Sequence, residues 1–87
     1  MKTTQMTNDK GRPVVNHFIH YDEKTGERKL QSYGSVIVKI HNGQVTLGKN
    51  WKASSTTSKY RSMFLGESTA ETQKKLDDGV YDYDENL

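Results

Sequence analysis

The sequence predicts an α+β domain: a small antiparallel sheet of about four strands, built as two hairpins, followed by two short helices packed on one face. Three observations carry this prediction. Residues 14–47 fall into short runs with the two-residue period of strands, separated by turn chemistry. Asn42-Gly43 lies between two of these runs and is the strongest short signal for a two-residue hairpin, because both central residues need positive φ. From Thr57 onward the apolar spacing becomes helical, with Tyr60 and Phe64 four apart and Met63 beside them.

The 87 residues make one domain, at the small end of what folds unaided. Only 31% of them are hydrophobic and 28% are charged, but eight aromatics and periodic apolar runs argue for a thinly cored globular fold. We divide the chain into a flexible arm over 1–13, one α+β domain over 14–83 and a frayed acidic tail over 84–87. The arm is polar and aperiodic, and it ends in Lys10-Gly11-Arg12-Pro13.

Val14–Tyr21 alternates, but both faces are mixed: Val15, His17, Ile19 and Tyr21 on one, Val14, Asn16, Phe18 and His20 on the other. Asp22–Glu27 contains Thr25-Gly26 and should reverse the chain into a return strand, Arg28–Tyr33. Gly34 marks a bulge or a tight turn. Ser35–His41 is the clearest strand, with Val36, Val38 and Ile40 on one face, and Gln44–Leu47 is its partner. Ser54, Ser55 and Thr56 are candidate N-caps for the first helix, and Gly66 is placed to close it in the left-handed conformation. Ser68-Thr69-Ala70-Glu71 matches a capping box, so a second helix should run from Thr69 to Asp78 and stop at Gly79. Val80, Tyr81 and Tyr83 could add a short extended segment.

Charge is unevenly spread. Arg28 to Gly66 holds seven basic residues and no acid, whereas Glu67 onward holds seven acids against Lys74 and Lys75. Such blocks point to an electrostatic partner or to self-association. No apolar run reaches membrane-spanning length and no leader-like segment opens the sequence, so a soluble protein of the cytosol is expected, with no membrane partner.

Catalytic chemistry finds little support. His17 and His20, three apart on a strand, point to opposite faces and cannot share a metal ion. The hydroxyl run beside Lys59 lacks a base and an oxyanion site, which leaves it as a helix cap. Asp77-Asp78 and Asp82/Asp84 fall where solvent keeps them ionised. No glycine-rich loop could cradle a phosphate. We therefore expect no catalytic residue, metal or cofactor. What remains is a basic and aromatic surface made of Lys49, Trp51, Lys52, Lys59, Tyr60 and Arg61. A basic groove with a stacking aromatic suits single-stranded nucleic acid. The competing reading places Trp51 and Tyr60 in the core and leaves the lysines as a solvated face, so the exposure of Trp51 decides between them.

The stretches Gln31-Ser32-Tyr33 with Ser35, Lys39-Ile40, Asn42-Gly43, Val45, Leu47, Trp51, Ser55-Thr56-Thr57-Ser58-Lys59-Tyr60, Phe64-Leu65-Gly66, Gly79 and Tyr81 resemble a family of small uncharacterised proteins encoded by phages and plasmids of Gram-positive bacteria. Lys52-Ala53 and Asp82-Tyr83-Asp84 depart from its pattern. The resemblance implies an accessory protein of a mobile element with nothing catalytic. From it and the charge blocks we expect a non-catalytic module that occupies and inhibits a host protein, such as a nucleic-acid-handling or defence target, in the manner of an anti-CRISPR. Direct nucleic-acid binding and a self-associating homo-oligomer are the alternatives.

Overall fold

The computed structural model describes residues 1–87. It confirms a sheet with two helices, but the sheet has six strands rather than about four. They run β1 (Lys2–Thr7), β2 (Pro13–Tyr21), β3 (Arg28–Ser32), β4 (Ser35–His41), β5 (Gln44–Leu47) and β6 (Asp82–Tyr83). The helices are α1 (Ser55–Leu65) and α2 (Thr69–Asp77). Spatial order follows chain order, and every neighbouring pair is antiparallel except β5 and β6, which run parallel. The sheet is therefore mixed.

Residues 2–7, expected to lie outside the fold as an arm, form strand β1 against β2. The segment hides this because only Met6 is buried; its threonines supply β-propensity, not an apolar stripe. The alternation in β2 fails for a related reason. Asn16 has φ +63°, the register against β1 shifts here, and both Val14 and His17 are buried with two exposed residues between them. Tyr33 and Gly34 form the turn between β3 and β4. In β4, Leu30 pairs with Val38 and Gln31 with Val36, so Ile37 is the extra residue of a bulge and Ile37 and Val38 are buried side by side.

The turns obey their chemistry. Asn42 (φ +52°) and Gly43 (φ +77°) both take the positive φ that the hairpin requires. Ser54 caps α1 by accepting the Thr57 N–H, and Gly66 closes it at φ +72°. The capping box of α2 is complete in both directions, from Ser68 and from Glu71.

Helix α1 lies on the sheet face that carries His17, Arg28, Leu30 and Ser32. Tyr60 meets His17, Phe64 lies under the Arg28 guanidinium, and Thr57 bonds Ser32. Met6, Leu30, Ile37, Val38, Val45, Leu47 and Trp51 form the core, with Ile19, Ile40, Tyr60, Phe64, Leu65, Leu76 and Tyr81 packed around them. The opposite face, with Phe18, His20, Lys29, Gln31, Lys39 and His41, has no fully buried side chain.

Glu67, between the helices, ties the C-terminal part together. It accepts hydrogen bonds from Thr72 (2.8 Å), Tyr81 (2.7 Å) and Lys75 (2.6 Å). Burial alone would push its carboxyl up; the bonds from Lys75, Tyr81 and Thr72 outweigh that and hold it below the ordinary glutamate value. A carboxyl lowered in the folded state stabilises fully above its unfolded value, about pH 4.3, and this contribution fades as pH falls through the lower, folded value. Thermal melts from neutral to acid pH should show this loss, and Glu67→Gln should be less stable at neutral pH but lose less on acidification.

Candidate binding surface

The six residues predicted to form a basic and aromatic surface divide sharply. Trp51 is 4% exposed and Arg61 is fully buried, so neither belongs to a binding surface. Trp51 is nonetheless a stacking platform, for the protein's own cations: Arg61 Cζ and Lys52 Nζ each lie 4.9 Å from its ring centroid. Arg61 donates to the Trp51 carbonyl and to Thr69 Oγ1, both at 2.6 Å, and to Ser62 Oγ at 3.3 Å. Burial pulls this guanidinium below its ordinary value, and the nearby charge of Glu67 offsets part of that. Lys49, Lys52 and Lys59 are exposed. Lys52 is engaged with Gln73 Oε1 at 2.7 Å, whereas Lys59 sits 5.4 Å over the ring of Tyr60. Tyr60 is half-buried against the sheet.

The structure brings a different set together. The motif stretches Gln31-Ser32-Tyr33 and Ser55–Tyr60, far apart in sequence, meet at His17. This imidazole is fully buried. Its Nδ1 lies 2.9 Å from the Val15 carbonyl, which can only accept, so Nδ1 carries a hydrogen, and in the Nδ1–H tautomer Nε2 is the acceptor. The remaining bonds then have fixed directions. Ser32 Oγ donates to His17 Nε2 (2.9 Å), Thr57 Oγ1 donates to Ser32 (3.0 Å), and Ser54 Oγ donates to Thr57 (3.1 Å) while accepting the Thr57 N–H.

A serine hydroxyl on an imidazole oriented from its far side is the hydrogen bonding of a nucleophile and its base. Here it is sealed: Ser32 is 4% exposed and Thr57 3%, with α1 over both. The chain acts as a polar clamp that fixes the start of α1 on strands β2 and β3. The surface carries no pocket, and no group of His, Asp and Glu is assembled that could hold a metal ion. His20 faces the other side of the sheet, bonded to Thr3 and Gln31, as strand geometry requires.

Above the clamp lies the exposed part. Tyr33 is 52% exposed and packs edge-on against His17 at 5.4 Å, with Tyr60 on the same imidazole at 5.0 Å. Its backbone is left-handed (φ +56°), and its N–H donates to the carbonyl of Asn16, itself left-handed, at 2.7 Å. Val15, beside Asn16, is 72% exposed. Asparagine tolerates such a φ; a bulky aromatic there is an outlier. The sequence held one clue, since Tyr33-Gly34 reverses the glycine-first order that a turn of this kind prefers. What it did not disclose was which buried group the tyrosine would lean on.

No helix is long and apolar enough to cross a membrane. Neither a curated protein nor a solved structure matches the chain. Residues 1–79 match a family of unknown function (DUF8033), and over that span, which holds all five antiparallel strands, both helices and the His17 clamp, the chain is a member of it.

Proposed function

We propose that the protein is a non-catalytic binding module that acts by occupying a surface of a host-cell protein, and that Tyr33 is the residue it presents. The observation that carries this reading is the strained, exposed conformation of Tyr33. A non-glycine residue held in the left-handed region costs on the order of 1 kcal/mol or more, and such strain gathers at working sites. Asparagine or glycine would make the turn at lower cost. The aromatic is also prepaid in entropy: its contact with buried His17 holds the ring before any partner arrives. Tyrosine is one of the residue types enriched where binding energy concentrates at protein interfaces. Val15, next in the chain to the Asn16 that Tyr33 bonds, is exposed and apolar, and Lys59 is an exposed cation over the Tyr60 ring that shares His17 with Tyr33. The resemblance to mobile-element proteins supports a host partner, including a defence nuclease.

A second reading, single-stranded nucleic acid, is favoured by one observation: Lys49 and Lys59 are exposed and lie within no carboxylate's reach. Tyr33 would then replace Trp51 as the stacking aromatic.

The variant Tyr33→Asn separates these outcomes because it suits the backbone. Relief of strain offsets the lost aromatic contact, about 1 kcal/mol each way, so its melting curve should nearly overlay the wild type. Tagged wild-type protein should capture a partner from host lysate, with or without nuclease, and Tyr33→Asn should not. Equal capture by both proteins would remove Tyr33 from the interface. Capture that nuclease abolishes would favour the nucleic-acid reading.

A further inference from the structure

The two outer edges of the sheet are treated in opposite ways. One edge is β6, only two residues long and followed by Asp84 and Glu85. Short length and charge are how edges are kept from pairing. The other edge is β1, six residues of sequence Lys-Thr-Thr-Gln-Met-Thr, with no proline and one charge, at its very start. The two side chains that flank its central Thr4 are tied inward. Thr3 Oγ1 bonds His20 and Gln5 Nε2 donates to the Val14 carbonyl, which leaves the outer row of backbone N–H and C=O groups clear. From this contrast we infer that β1 is a self-association edge: two copies of the chain pair β1 against β1, antiparallel, to form one continuous sheet.

The occupant is a second copy because the strand is complementary to itself. In an antiparallel pair, directly opposed residues share a face, so a two-fold axis normal to the sheet must pass beside a like pair. Centred on Thr4, it sets Thr4 opposite Thr4 of the second copy, Thr3 opposite Gln5 and Lys2 opposite Met6. No like charges face each other, and threonine pairs are favourable across strands. The axis also keeps both helix layers on one side. The flanking turns agree in charge. The Asn8–Arg12 turn holds Lys10 and Arg12 against Asp9, and the opposite end of β1 lies by Glu23 (3.9 Å from Lys2 Nζ), within a turn that also holds Asp22 and Glu27 against Lys24. Antiparallel pairing brings the basic turn of each copy towards the acidic turn of the other.

Sedimentation equilibrium from about 1 μM to about 1 mM, a range that brackets small interfaces, should show a species of twice the 9.9 kDa chain. It should persist in about 1 M salt, where charge attraction is screened beyond roughly 3 Å but backbone pairing is not. Thr4 is exposed, so Thr4→Lys and Thr4→Glu should fold as the wild type does by circular dichroism. Each should weaken self-association roughly tenfold or more by opposing like charges at the axis, and an equimolar mixture of the two should restore the doubled mass. A wild type that stays monomeric over the whole range overturns the inference. So does a dimer that salt dissolves, or one that both Thr4 variants leave unchanged.

Discussion

Arg61→Ala should be the most destabilising of the substitutions considered, by about 3 to 5 kcal/mol, a large share of the about 4 to 13 kcal/mol that a domain of this length has in total. Three losses add here. The Trp51 carbonyl and the Thr69 hydroxyl each lose the guanidinium donor that reaches them at 2.6 Å. The Trp51 ring loses a stacked cation, and a side-chain-sized void opens in a core built from few apolar residues. Arg61→Lys should recover little, because one ammonium cannot span both acceptors or stack as a plane. Arg61→Met should fall between, filling space and touching the ring while leaving two polar groups unpaired. Trp51, the one tryptophan, reports on this site directly, so urea unfolding followed by its fluorescence measures all three. An Arg61→Ala protein with an unchanged midpoint would mean that the guanidinium is dispensable to the fold.

Arg61 also shows why part of the site was hidden in the sequence. Local chemistry was legible wherever it is self-contained: the Asn42-Gly43 turn, the Ser68/Glu71 capping box and the Gly66 stop each depend on neighbours within a few residues. Strands Ser35–His41 and Gln44–Leu47 were legible to the residue. Facing was not. Bulges at Asn16 and Ile37 reset the two-residue alternation, and nothing local announces that Ile37 and Val38 will both be buried. β1 was missed because an edge strand needs only one apolar residue when its pairing comes from a neighbour.

The burial of Arg61, the one buried member of the basic block, has a deeper reason. A chain that is 31% hydrophobic cannot fill its interior with apolar groups, so it buries polar ones and bonds them to each other. His17, Ser32, Thr57, Arg61 and Thr72 are the result. By charge alone Arg61 reads as a surface residue. Its position in α1, four after Thr57 and three before Phe64, placed it on the packed stripe all along.

The same economy makes Gly48→Ala the second severe substitution. Gly48 follows β5, is buried, and donates its N–H to the Ile37 carbonyl at 2.9 Å. The bulge at Ile37 turns the preceding peptide towards it, so a Cβ built on Gly48 would lie 2.3 Å from the Val36 carbonyl oxygen. That neighbour is backbone in a paired strand and cannot swing aside. Either the bulge or the β4–β5 pairing must move, and through Val38 and Leu47 the movement enters the core. The expected cost is about 3 kcal/mol, at the upper end of overpacking. Gly34→Ala is the matched control. Gly34 lies outside the left-handed region, and nothing stands within 4 Å of its added Cβ. There the usual effect of removing a glycine should win, stiffening the unfolded chain for a gain of about 0.5 kcal/mol. Two Gly→Ala changes in one small sheet should thus shift the urea midpoint in opposite directions, and the difference isolates the close approach at the bulge. Equal shifts would mean that Gly48 is held by its chain entropy and not by the carbonyl it faces.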